Sequence, residues 1–198
     1  MTVAKFSLDD CSIAKVCSAQ DLASFHCGDD DLDDFFVNDA FLYSKQLLGK
    51  TYFFMTNDDE PKIVGAFTVA NDSIKASLIS KSTRNKLQRK IPSSKRTRSY
   101  PAVLIGRLGV ASSLRGLRIG SDMLDYIKEI FSDDNNRTGC RYVVVDAYNN
   151  PNVLKFYEKN DFKYLYLTED EEKETFGLTK DERLNSRMMY FDLIAYAD

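Results

Sequence analysis

The stretch Val103–Ile127, VLIGRLGVASSLRGLRIGSDMLDYI, limits what this chain can fold into more than any other. Val103–Val110 is an apolar run of the length and composition of a buried strand. A short basic turn with Gly116 and Gly120 follows, and then Met123, Leu124, Ile127, Ile130 and Phe131 recur at helical spacing on one face. A strand that passes through a glycine turn straight into a helix leaves the first backbone N–H groups of that helix unpaired, at the positive end of its dipole. Gly116 and Gly120 remove side chains where a bulky anion would approach the backbone, and Arg115 and Arg118 add positive charge. The arrangement suits a pyrophosphate. On spacing alone, a glycine-opened helix that binds nothing fits equally well.

Two other phosphate cradles are excluded. The chain has no G-x-x-x-x-G-K-[ST] and no G-x-G-x-x-G after an N-terminal strand, so neither a P-loop nor a dinucleotide fold is expected.

Around this segment the periodicity changes several times. Residues 11–17 read as an opening strand and 19–25 as a short helix. From Asp30, a longer helix is expected with Leu32, Phe35, Phe36, Ala40, Tyr43 and Leu47 on its apolar face; the aspartates before it suit its N-terminus and cap. Runs 51–56 and 63–70, joined by the polar turn NDDEPK, predict a hairpin, and SIKASLIS a third short strand-like run. Residues 81–98 predict a short helix followed by a loop broken at Pro92. Residues 141–147 form a second buried strand, 151–160 a second helix, and 162–167 and 187–194 closing strands. This order predicts an α/β (α+β mixed) chain: a central mixed sheet of about six to seven strands with helices on both faces. With 198 residues, no internal repeat and no low-complexity linker, residues 1–198 are expected to form a single domain.

Composition narrows the chemistry. Cys11, Cys17, Cys27 and Cys140 are scattered without a CxxC pair, so reduced cysteines are expected. His26 is the only histidine, which leaves no metal set at ligand spacing and no G-x-S-x-G hydrolase relay to serve. No apolar stretch reaches the roughly 20 residues of a membrane span, and the N-terminus lacks the pattern of a signal peptide, so no membrane association and a cytoplasmic location are expected. The net charge of −3 is unevenly spread. Residues 81–98 carry eight Lys/Arg and no acid, and the remainder carries about −11.

Arg115-Gly116-Leu117-Arg118-Ile119-Gly120 resembles the pyrophosphate loop R/Q-x-x-G-x-G/A of the GNAT superfamily of N-acetyltransferases. Downstream, Ala147–Phe162 (AYNNPNVLKFYEKNDF) resembles its second signature, an Asn before a helix bearing F-Y-E-K and then G-F. Asn150 and Tyr157 match that Asn and Tyr. In two places the chain departs from the pattern: Arg118 stands where the family has its first loop glycine, and Asp161 replaces the glycine of the G-F pair. An arginine at 118 requires either a negative φ or the acceptance of backbone strain. F-H-C-G before DDLDDFF, the TYFF strand, Ile91-Pro92 and GRLGV extend the likeness, over roughly residues 25–165, to a branch of GNAT toxins that acetylate the amino group of aminoacyl-tRNA.

The resemblance implies acetyl-CoA as co-substrate and direct transfer of its acetyl group to a primary amine in a ternary complex. Leu108, Gly109 and Val110 would run along the pantetheine arm; Arg115, Gly116, Leu117, Arg118, Ile119, Gly120 and Ser121 would hold the diphosphate; Asn150 would join the cofactor site. Tyr157 would be the catalytic acid that protonates the leaving sulfur. Without the family pattern, Tyr157 reads rather as a core aromatic beside Leu154 and Phe156. No residue stands out as a base, although Asp146 and the acidic helix near Asp30 carry carboxylates. Three functional readings follow: an acetyltransferase on an unspecified amine, a toxin-like enzyme on aminoacyl-tRNA, and a non-catalytic CoA-binding or interaction domain. For tRNA, segment 81–98 is the expected contact, through Lys86, Arg89, Lys95 and Arg96, with Tyr100 available to stack. A homodimer is compatible with all three.

Overall fold

The computed structural model describes residues 6–89, 91 and 98–195. A seven-stranded mixed sheet, flanked by helices, runs in the order β1-β2-β3-β4-β5-β7-β6. Its strands are β1 (Cys11–Lys15), β2 (Lys50–Thr56), β3 (Ile63–Lys75), β4 (Ser99–Val110), β5 (Tyr142–Tyr148), β6 (Lys163–Tyr164) and β7 (Ser186–Asp192). The helices are α1 (Asp30–Asp34), α2 (Ala40–Lys45), α3 (Lys81–Gln88), α4 (Ile119–Ser132), α5 (Pro151–Lys159) and α6 (Glu169–Thr175). β4 and β5 are neighbours joined through α4, the helical crossover that a parallel pair needs. The chain divides into two compact units: Met1–Ala70 with Ile105–Ile127, and Asn71–Leu104 with Lys128–Asp198. The long strands β3 and β4 each contribute to both.

In the first unit β1, β2 and β3 form an antiparallel meander, with Ile13 opposite Phe54 and Phe53 opposite Ala66. Its core gathers Val16, Leu22, Phe25, Cys27, Phe35, Phe36, Ala40, Phe53 and Ala66. Burying each phenylalanine there contributes about 1.5–3 kcal/mol. The helix expected from Asp30 starts where the aspartates place it, with Asp29 as N-cap accepting from the Leu32 amide at 3.1 Å. The helical run continues to Lys45, with one π turn at Phe35–Asp39 widening the ladder between α1 and α2. The extra residue turns Phe35, Phe36 and Ala40 inward but carries the chain to its end before Leu47. That leucine, expected on the apolar face, is 91 % exposed. The helix expected at 19–25 is a series of turns instead, pinned by Asp21, whose carboxylate accepts from the Cys17 and Ser18 amides.

In the second unit β5 and β7 pair antiparallel from Tyr142↔Asp192 to Tyr148↔Ser186, and β6 adds to β7. The core here collects Ile74, Ile79, Leu87, Tyr100, Tyr142, Val144, Leu165, Tyr166 and Tyr190. The SIKASLIS run is not a strand of its own: Ser73–Lys75 completes β3, and turns lead on to α3. Residues 162–167 yield only the two-residue β6, because the acidic stretch behind them folds as α6. Thr168 caps α6, and Glu172 on its inner side meets Arg187 at 2.6 Å and the Met188 amide at 2.6 Å. A buried carboxylate requires such partners. Tyr100 is buried edge-on against Tyr142 with its hydroxyl bonded to Gln88, so it cannot serve as the stacking platform expected of it. Among the described residues no helix is long and apolar enough to cross a membrane, and no group of three or more His, Cys, Asp or Glu could hold a metal.

Candidate active site

The turn expected to hold a diphosphate opens α4 at Ile119. It is preceded by a single 3-10 turn, Ser112–Leu114, after which Arg115 is extended and Gly116 adopts φ 83°. A Cβ built on Gly116 would meet nothing within 4 Å, so the corner is open. Arg118 adopts φ 67°, the left-handed conformation that the family supplies with glycine; the arginine takes the strain, and its side chain is exposed rather than folded over the turn. The Arg118 carbonyl accepts from the Ser121 amide at 2.8 Å and the Asp122 amide at 3.1 Å, which starts the helix ladder. The Ser121 amide is therefore committed, leaving its hydroxyl as the group that could reach a ligand. Among the described residues no backbone acceptor is found for the amides of Gly116 to Gly120. Five successive donors at the positive end of a 14-residue helix, beside an unobstructed glycine, fit a diphosphate.

The turn is bolted in place at its base. The Ser112 amide donates to the His26 carbonyl at 3.0 Å, and the Arg115 guanidinium donates to the Cys27 carbonyl. From the other side Asp33 of α1 accepts from the Cys27 amide at 2.6 Å and the Gly28 amide at 3.1 Å, and meets His26 Nδ1 at 2.6 Å. Burial alone would raise the Asp33 carboxyl; the Cys27 and Gly28 bonds and the nearby His26 outweigh it and hold the group below its ordinary value. In the sequence F-H-C-G-D-D-D-L-D-D only helix capping and family likeness are visible; that Asp33 also clamps the preceding loop is not.

Leu108, Gly109 and Val110 end β4. The Ala111 amide continues the pairing with β3 by donating to Val64 at 2.9 Å, so by alternation Val110 directs its own N–H to the opposite edge. Gly109 is required by packing: a Cβ there would lie 3.2–3.3 Å from Phe36, Cys27 and Phe25.

The second unit carries Asn150 and Tyr157. Asn150 is the N-cap of α5, its side-chain oxygen accepting from the Asn152 amide at 2.9 Å, and no acceptor for its Nδ2 is found among the described residues. Tyr157 is 7 % exposed, its ring held edge-on by Phe156 at 5.1 Å and Phe162 at 5.3 Å. Past α5, Asp161 takes φ 67°, its amide donating to Glu158 at 3.1 Å and the Phe162 amide to Tyr157 at 3.1 Å. Those two bonds, with Phe162 packed on Tyr157, make a Schellman cap, so Asp161 fills the left-handed position of the family's glycine. The cap fixes the ring of Tyr157. No hydrogen bond of its hydroxyl is found among the described residues, and burial pushes its pKa up, keeping it protonated. Asp146 on β5 is held above the usual carboxylate range by loss of hydration and then by Asp72, although the residue still exposes surface.

The model of the Acetyltransferase (GNAT) family matches residues 25–162, well over half of the chain. This chain belongs to the GNAT acetyltransferase family. It is accordingly an acetyl-CoA-dependent acetyltransferase. Solved structures share the fold. AtaT complexed with acetyl-methionyl-tRNAfMet aligns with a TM-score of 0.70 at 19 % identity, covering 94 % of this chain and 97 % of that one. A Tyr-to-Phe mutant of KacT gives 0.69 at 16 %, covering 94 % and 96 %. AtaTR bound with AcCoA gives 0.67 at 22 %, covering 94 % and 96 %. No curated protein matches.

Proposed function

We propose that this GNAT chain transfers the acetyl group of acetyl-CoA to a primary amine by direct attack in a ternary complex. When bound, the thioester supplies an acyl carbon to which the amine nitrogen bonds as the C–S bond breaks. Amides 116–120 orient the coenzyme through its diphosphate, and the end of β4 offers backbone donors along the pantetheine arm, where fixed donors stabilise developing charge. Tyr157 delivers its phenolic proton to the departing sulfur. A thiol with a pKa near 8.5 needs only modest help to leave, which a phenol can give. Asn150 contributes its Nδ2 to the coenzyme site. The observation that carries the reading is the row of unpaired amides beside the open Gly116. Tyr157→Phe tests the acid: kcat should fall by about 10²-fold with acetyl-CoA affinity nearly intact. Full activity removes Tyr157 from the role, and no turnover by the wild type with any amine leaves a CoA-binding domain without catalysis.

A second reading makes the acceptor the amino group of aminoacyl-tRNA in a cytoplasmic toxin. It is favoured by α3, which presents Lys81, Lys86 and Arg89 to solvent while Thr83 and Leu87 face inward, and by the likeness to AtaT, solved with acetyl-methionyl-tRNAfMet. AtaT is also solved bound to the antitoxin AtaR, so an antitoxin partner belongs to the same reading. Lys95 and Arg96 lie outside the described residues. An aminoacyl ester amine has a low pKa for an amine, which makes a dedicated base dispensable. Neutralising Lys86 and Arg89 should weaken tRNA binding and flatten its salt dependence; unchanged affinity contradicts this reading.

A further inference from the structure

We propose that Arg115 is a positioning residue that sets the shape of the coenzyme turn through the Cys27–Gly28 peptide, and not a ligand of the diphosphate. The inference rests on the reading that residues 116–120 hold that diphosphate. Arg115 opens the turn, and its charge suggests a phosphate contact, but the structure gives the guanidinium another acceptor, the Cys27 carbonyl. The same peptide group is held at its other end, where the Gly28 N–H donates to Asp33. One amide thus lies between a guanidinium and a carboxylate, an arrangement that polarises it and strengthens both bonds. Asp33 also takes the Cys27 amide and His26, and the Ser112 amide adds a second bolt to the His26 carbonyl.

Gly28 shows that the contact is built in. It has φ 78°, and a Cβ there would lie against the guanidinium, 3.4 Å from Arg115 Nη2. The glycine both turns the chain so that the Cys27 carbonyl faces Arg115 and gives the flat guanidinium room to approach. Arg115 stands at the last extended position before the left-handed Gly116, so its anchor determines where the free amides begin. A lysine keeps the charge but not the planar fork, and cannot replace it in this role.

Calorimetric titration of coenzyme A into the wild type, R115Q, R115K and D33N, at low and high salt, tests the assignment. R115Q and R115K should both bind about tenfold more weakly than wild type, since displaced binding groups lose affinity steeply. The salt dependence should match wild type, because no charge leaves the ligand's contacts. D33N should weaken binding in the same direction, and its effect should not multiply with that of R115Q. In turnover, the KM for acetyl-CoA should rise with kcat at saturation largely kept. If R115K binds like wild type and R115Q flattens the salt dependence, Arg115 is a phosphate ligand and the proposal is wrong. It is also wrong if R115Q binds normally, or if it only lowers Tm while the folded protein binds as before. The Arg115 variants alter an exposed side chain and decide the matter even where D33N fails to fold. Absence of wild-type binding overturns the coenzyme reading itself.

Discussion

Restoring glycine at position 118 should stabilise the protein, and the size of the effect follows from one dihedral angle. Arg118 sits at φ 67° with an exposed side chain. Holding an L-residue with a Cβ in that region costs about 1–2 kcal/mol. Glycine removes that cost but loses more backbone freedom on folding, about 0.5–1 kcal/mol. The difference leaves Arg118→Gly more stable by about 0.5–1 kcal/mol. For a chain of this length that corresponds to a rise in Tm of about 1–4 °C. Arg118→Ala is the matched control, since it removes the guanidinium and keeps the strained Cβ; its Tm should stay within about 1 °C of wild type. Both variants lose the same charge near the coenzyme, so both should bind acetyl-CoA less tightly by about two- to fivefold, with a flatter salt dependence. Thermal unfolding and calorimetry on the three proteins separate the two effects. A lower Tm for Arg118→Gly, or an equal rise for Arg118→Ala, refutes the backbone argument.

Other consequences are direct. Leu47 occupies the left-handed position of the cap that ends α2, with the Leu48 amide bonded to Tyr43 at 3.2 Å, so Leu47→Gly should raise Tm by a similar amount without touching activity. Gly109→Ala should lower stability by about 1–3 kcal/mol, measured by denaturant unfolding, because three packed groups must move to admit the methyl. Asp33 is depressed below its ordinary 3.8, so the stability it contributes is fully present above that value and is lost as the pH falls through its lower folded value. Unfolding followed below about pH 4 should therefore show a loss that Asp33→Asn removes. A steeper acid loss in that variant contradicts the clamp assigned to Asp33.

Helix starts were more legible than helix ends. Asp29, Ser80, Asn150 and Thr168 are side-chain caps of the kind that sequence rules mark. The ends of α2, α5 and α6 all use the same left-handed cap, but only α6 has glycine there; Leu47 and Asp161 hide the other two. The apolar periodicity extends to Leu47 for that reason, and because a π turn carries no composition signal. β4, α4, β5 and α5 were readable because their apolar runs bury in place: Met123, Leu124 and Ile127 are fully buried. α6 is hidden in the sequence because its residues are mostly charged, and its one inward acid, Glu172, is accounted for only by Arg187 and the Met188 amide on β7. In the candidate site, the spacing of Arg115, Gly116 and Gly120 marks the turn, and the likeness to the family's second signature singles out Asn150. The contact between Arg115 and Cys27 joins residues 88 apart in sequence and leaves no local pattern to read.

The central claim is that the free amides of residues 116–120 grip the diphosphate of acetyl-CoA. Amide-resolved NMR of the 15N-labelled protein, titrated with coenzyme A, tests it most directly. Saturable shifts of the Gly116, Leu117, Arg118, Ile119 and Gly120 amides, the largest in the spectrum and accompanied by slowed exchange, are the predicted result. Binding that leaves those five signals in place, or no binding at all, contradicts it.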